Sequence, residues 1–185
     1  MKAMSVLSIR MIGDPVLRTP SAPVDLEGGA PEPRITKLIA DMYETMDEVR
    51  GIGLAAPQVG VGLRIFTYSV DGVRGAVINP QLELSGETSF TPRRVEDGPA
   101  EGENLLREGC LSIKEIYGPV ARPQRARLTG TNEHGEPVDV EATGLLAACF
   151  QHEVDHLDGK LFIDRLTGDD KKTAYRALRA QEAAR

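Results

Sequence analysis

QHEVDH, residues 151–156, is the stretch on which the reading of this chain turns. His152 and His156 are four apart, with Glu153 directly after the first. On an α-helix, positions i and i+4 share one face about one turn apart, so both imidazoles can reach a single ion. Glu153 then stands beside that ion, where a carboxylate accepts a proton from bound water, the HExxH arrangement of metal-dependent hydrolases. The competing reading is a solvated helix carrying two surface histidines. Against it, the chain has only three histidines and two of them fall in this motif. The flanking residues predict a helix that starts near Thr143, a capping residue type, runs to Asp158 and is ended by Gly159.

A hydrolytic metal site wants three protein ligands and an open position. Cys110, in REGCLSI, is the candidate for the third, because Gly109 lets the backbone approach closely and a thiolate binds borderline and soft divalent ions. A buried small apolar residue is the alternative for a free cysteine. Cys149, three residues before His152 on the apolar side of the helix, reads as core or pocket wall. His134, in NEHGEP, reads as a solvated turn residue.

Outward from these motifs, apolar residues at Ile35, Leu38, Ile39, Met42, Tyr43, Met46 and Val49 predict a helix over 34–50 with Gly51 as its stop. GIGLAAPQVG reads as a Gly-rich loop, and LRIFTYSV and GAVINPQLEL as strands. Residues 86–107 are polar and contain Gly and Pro, which suits a surface excursion. CLSI, RARLTGTN and PVDVEAT read as short strands, the last two joined in a hairpin across Glu133, His134 and Gly135. Before the first helix, Pro15, Pro20, Pro23 and Pro31 predict an extended lead-in that wraps the domain. Asp169–Arg185 reads as a surface helix bearing Lys171, Lys172, Arg176, Arg179 and Arg185.

With 185 residues and 41% hydrophobic content, one core and one domain over 1–185 are expected. Net charge −6 argues against a dedicated DNA binder. No apolar run reaches the roughly 20 residues of a membrane span, and MKAMSVLSIRMIGDP lacks a secretory h-region, so the cytoplasm is expected. Two cysteines are too few for a disulfide framework and read as reduced thiols.

Three segments together resemble the peptide deformylase family: GIGLAAPQ at 51–58, EGCLS at 108–112 and QHEVDH at 151–156. The resemblance covers about 9–166, including GDPVLR and VINP; 86–107 and the ends fall outside it. It implies an α+β fold in which antiparallel sheets pack around a central helix carrying HExxH. It also implies removal of the formyl group from N-formylmethionyl peptides newly made by the ribosome. Cys110, His152 and His156 would hold one divalent ion, Fe2+ in the cell, with Zn2+, Ni2+ or Co2+ as ions a purified sample could carry. Glu153 would be general base and then acid, while the Gln58 amide and the Leu111 N–H would receive the oxyanion. Ile52, Leu145, Ala148 and Cys149 would wall a methionine pocket, with Gly53 giving bare backbone to an extended peptide. The basic C-terminal helix would suit a contact with the ribosome, as in some members of the family, with a solvated surface helix as the alternative, and neither membrane nor DNA would be a partner. Lys114 departs from the pattern, standing where bacterial members commonly have proline. Three rivals remain: a metal peptidase, a Cys110 nucleophile with a histidine base, and a metal-binding scaffold without activity.

Overall fold

The stripe of Ile35, Ile39, Met42 and Met46 buries one side of helix α1 (Pro33–Glu48), which begins with a proline whose missing N–H costs nothing in the first turn. The helix closes in a Schellman turn, Gly51 N donating to Met46 O at 2.9 Å and Arg50 N to Asp47 O at 3.1 Å. The residue in the left-handed position is Arg50, at φ 52°, and not the expected stop, Gly51.

A computed structural model describes residues 5–26, 28–91 and 105–184. Five strands form one antiparallel sheet in the order β1 (Gly53–Ala55), β2 (Ile65–Val70), β3 (Val73–Phe90), β6 (Ala121–Thr131), β7 (Pro137–Thr143). A separate hairpin is made by β4 (Arg107–Cys110) and β5 (Ile113–Pro119). The alternation along β2 divides the core. Ile65 points with Ala76 and Ile78 towards α1, while Phe66 and Tyr68 point with Val77 towards helix α2 (Gly144–Leu157) and its Phe150. The HExxH helix is thus packed among antiparallel sheets in an α+β fold. A third cluster joins Leu17 of the lead-in to Ile113 and Ile116 of β5 and to two further helices, α3 (Phe162–Arg165) and α4 (Gly168–Ala183).

Four local expectations are corrected. CLSI is not a strand: Cys110 pairs with Ile113, and Leu111 and Ser112 form the two-residue turn between β4 and β5. GIGLAAPQVG is not all loop, since Gly53–Ala55 pair with β2 and Ala56–Val59 form a 3-10 turn. Gly86–Phe90 continue β3, reaching Ala121–Pro123 of β6 past a register shift, so the excursion begins later than its polarity suggested; 92–104 lie outside the described residues. Thr143 stands at the N-cap of α2, but its side chain makes no capping bond.

The lead-in contains one 3-10 turn, Pro15–Arg18, and hydrogen-bonded turns at Met11–Asp14 and Leu26–Gly29, and its described residues form no other helix and no strand. Its backbone laces the motif segments together: Arg10 N donates to Gln58 O at 2.7 Å, Ile12 N to Ser112 O at 2.9 Å and Ser21 N to Leu157 O at 2.8 Å. Arg18 adds a forked ion pair to Asp164.

Phe66 is fully buried, its ring centroid 6.0 Å from that of Tyr68 and 6.1 Å from that of Phe150. Phe66→Ala should therefore cost about 3–5 kcal/mol of stability, read as a lower urea midpoint with an unchanged slope.

Candidate active site

Helix α2 presents His152, Glu153 and His156 towards the end of β4, where Cys110 precedes the Leu111–Ser112 turn. The ligand-type atoms of Cys110, His152 and His156 all lie within 4.8 Å of one another, and Cys110 Sγ is 3.2 Å from His156 Nε2. His152 Nδ1 meets Glu108 Oε2 at 3.1 Å, which leaves its Nε2 as the free donor, the usual way a carboxylate orients a metal-binding imidazole. Burial holds His156 neutral, with its pKa well below the ordinary value. One thiol and two imidazoles in this spacing fit a borderline divalent cation.

Glu108 is itself held. Arg122 donates to both its oxygens, Nε to Oε1 at 2.5 Å and Nη2 to Oε2 at 2.8 Å, and sends Nη1 to Asp155 Oδ2 at 3.0 Å. Arg165 completes the chain with a forked contact to Asp155. Burial pushes the Glu108 carboxyl up, but hydrogen bonds from Arg122 and His152 outweigh it and hold the pKa at about 2. The network therefore keeps a full negative charge behind His152.

Glu153 is treated in the opposite way. Its carboxylate is buried, its Oε2 has no hydrogen-bond partner among the described residues, and burial pushes its pKa up to about 7. It lies against Gly53, where an added Cβ would sit 2.3 Å from Glu153 Oε1 and 3.0 Å from Cys149 Sγ. The absence of a side chain at Gly53 thus makes room for Glu153, a different reason from the passing peptide that the sequence suggested. Gln58 is aimed by its backbone neighbour: Oε1 accepts from Ala55 N at 2.9 Å, so Nε2 faces Ser112 Oγ at 3.3 Å and Cys110 Sγ at 3.5 Å.

A cavity of about 320 Å³ opens on this group. Ile52, Gly53, Gln58, Leu111, Leu145, Ala148, Cys149, His152 and Glu153 line it together with Cys110, while His156 lies behind. Gly51, Glu108 and Gly109 also line it, and Leu106, Tyr117, Arg50 and Arg107, which complete the lining, were not singled out from the sequence. His134 is apart from the site, exposed in the β6–β7 turn.

The family model described as polypeptide deformylase matches residues 6–172. The chain belongs to the peptide deformylase family. It is a metal-dependent hydrolase that removes the formyl group from the N-terminus of nascent peptides. A peptide deformylase of Acidothermus cellulolyticus is 50% identical over 182 residues, spanning 98% of this chain and 90% of that one. One of Mycolicibacterium paratuberculosis is 44% identical over 185 residues, spanning 96% and 89%. Among solved structures, peptide deformylase from Ehrlichia chaffeensis in complex with actinonin superposes with a TM-score of 0.80 at 33% identity, covering 97% of this chain and 99% of that one. The Thermotoga maritima deformylase gives 0.74 at 39% identity, covering 88% and 99%. Among the described residues no helix is long and apolar enough to cross a membrane.

What the sequence reasoning missed in this deformylase is the support behind the ligands: Glu108, Ser112, Arg122, Asp155 and Arg165. Arg122 shares the inward parity of Ala126 and Leu128 on β6, a signal that was available in the strand's alternation.

Replacing Gly53 by alanine should push the Glu153 carboxylate aside. If Glu153 takes part in the reaction, formate release should fall by about 10²-fold with metal content unchanged by elemental analysis, since a displacement of about 1 Å suffices for such a loss.

Proposed function

We propose that the reaction takes place on the cavity wall formed by Cys110, Glu153 and Gln58, with Cys110, His152 and His156 holding one divalent ion. The convergence of these three donors beside a buried, half-unpartnered carboxylate is the observation that supports this reading. Such an ion, when bound, makes water a nucleophile near neutral pH, lowering its pKa from 15.7 towards about 7. Thiolate and imidazole donors accept Fe2+, Zn2+, Ni2+ and Co2+ alike, and the family resemblance favours Fe2+. A free thiol ligand also suits the reducing cytoplasm.

Glu153 takes a proton on Oε2 and later returns it to the departing methionine nitrogen, a task matched to a carboxyl poised at about 7. Gln58 Nε2, oriented by Ala55, and the Leu111 N–H, at the first position of the β4–β5 turn, receive the charge that develops on the formyl oxygen. A neutral donor of this kind contributes about 2.7–4 kcal/mol to the transition state. Ile52, Leu145, Ala148 and Cys149 enclose the methionine side chain, whose burial contributes roughly 1.5–3 kcal/mol. The Cys149 thiol is an inert wall here, because burial and then the Glu153 charge push its pKa well up. The peptide beyond the methionine follows β1, an edge strand whose outer side has no neighbour in the five-stranded sheet.

With iron-loaded protein under anaerobic conditions, formyl-methionyl peptide should yield formate. Glu153→Gln should lower the rate by about 10²–10⁴-fold with one metal per chain retained; undiminished turnover in that variant would remove Glu153 from its role.

The outer face of α4 presents Lys171, Lys172, Arg176 and Arg179, all exposed, which suits a contact with ribosomal RNA; Arg185 lies outside the described residues. Ala174 and Leu178 of the same helix are buried, so truncation would open the core. Neutralising Arg176 and Arg179 by glutamine should weaken salt-sensitive ribosome binding in a sedimentation assay while leaving the thermal midpoint in place.

A further inference from the structure

Arg50 occupies a position where its residue type is costly. It is the left-handed residue of the turn that ends α1, at φ 52°, a conformation glycine adopts freely and a long side chain does not. Asp71, Asn79 and Glu115 also have positive φ; Asp and Asn are side chains that tolerate it, and Glu115, at φ 59°, is not among the residues lining the cavity. The turn's hydrogen bonds, Arg50 N to Asp47 O and Gly51 N to Met46 O, use only backbone, and glycine would make them without the cost of a side chain. Among the described residues its guanidinium makes no ion pair or hydrogen bond, although Glu44, Asp47 and Glu48 border the same stretch and Asp47 is taken by Arg74. Its side chain instead borders the active-site cavity, directly before Gly51, Ile52 and Gly53. A local rule broken without an internal gain points to a gain made with something outside the fold.

The cavity is also lined by Arg107, the first residue of β4, whose charge is partly engaged by Asp170 at 3.7 Å and whose Nη2 donates to Tyr117 O at 3.0 Å. Both arginines are exposed. The other charged lining residues, Glu108, His152 and Glu153, lie in the catalytic centre.

We infer that Arg50, with Arg107 on the same cavity, selects formylmethionyl peptides that carry a carboxylate side chain in the residues just after the methionine. The inference rests on the active-site reading above and adds a substrate preference to it. Exposed charge pairs of this kind shift an equilibrium by about two- to fivefold each and are weakened by salt.

The test uses C-terminally amidated peptides, so that no terminal carboxylate competes: formyl-Met-Ala-Ser, and the same peptide with Asp or Lys at the second or the third residue. Formate release by the metal-loaded enzyme gives kcat/KM for each at low and high ionic strength. The wild type should favour Asp over Lys by about two- to tenfold, mainly through KM, with the ratio shrinking in salt. Arg50→Gly should lower the ratio while not lowering the thermal midpoint, because glycine relieves the turn, and Arg50→Glu should reverse it. A ratio of one in the wild type, or a ratio that Arg50→Gly and Arg50→Glu leave unchanged, overturns the inference. Turnover of none of the peptides overturns the active-site reading itself, and the preference with it.

Discussion

The Arg122 guanidinium, 2% exposed, is the tie on which the catalytic centre depends. It grips Glu108, two residues before Cys110, and Asp155, one residue before His156. A hairpin in one sheet and a helix packed on another are thereby held in a fixed relation by a single side chain from β6. Burying three charges is expensive, and a buried pair contributes little net stability against an apolar alternative. What the arrangement supplies is position: if Glu108 lost Arg122, an uncompensated charge would remain in the core, whereas Asp155 would keep Arg165, so placements of the hairpin that part Glu108 from Arg122 are strongly disfavoured.

Charge is handled differently at two carboxylates beside the Cys110–His152–His156 group. Glu108 is clamped in its ionised form by Arg122, and Glu153, on α2, is buried with one oxygen unpartnered. Two identical chemical groups acquire different proton affinities from their surroundings alone. Glu108 stays charged to orient His152, whereas Glu153 is poised to exchange a proton near neutrality. Gly53 is part of this separation, because any side chain there would occupy the volume that Glu153 fills.

Much of this was legible in the sequence, and the reasons are specific. The i, i+4 histidines fix their own geometry once the segment is helical, and the stripe from Ile35 to Met46 announced α1 without help from the rest of the chain. Cys110 was a candidate by residue type and by Gly109 before it, and its place as a ligand came from the resemblance of EGCLS, since nothing local shows a distant sulfur meeting those imidazoles. CLSI misled because its apolar residues match a strand, while tertiary pairing of Cys110 with Ile113 makes its centre a tight turn. The polar face of β3 beyond Gly86 misled for the opposite reason: a strand pairing with β6 needs no apolar alternation where its side chains meet solvent. Arg122 went unread because a buried arginine has meaning only through partners on two other elements.

The lead-in has a consequence for how the chain reaches this state. Residues 10–21 leave the ribosome before their hydrogen-bond partners, Gln58, then Ser112, then Leu157. Pairings so remote along the chain form slowly, because the intervening loop must close before they stabilise anything. This segment is therefore made early and locked late, and the centre it laces together assembles only after Leu157 has emerged.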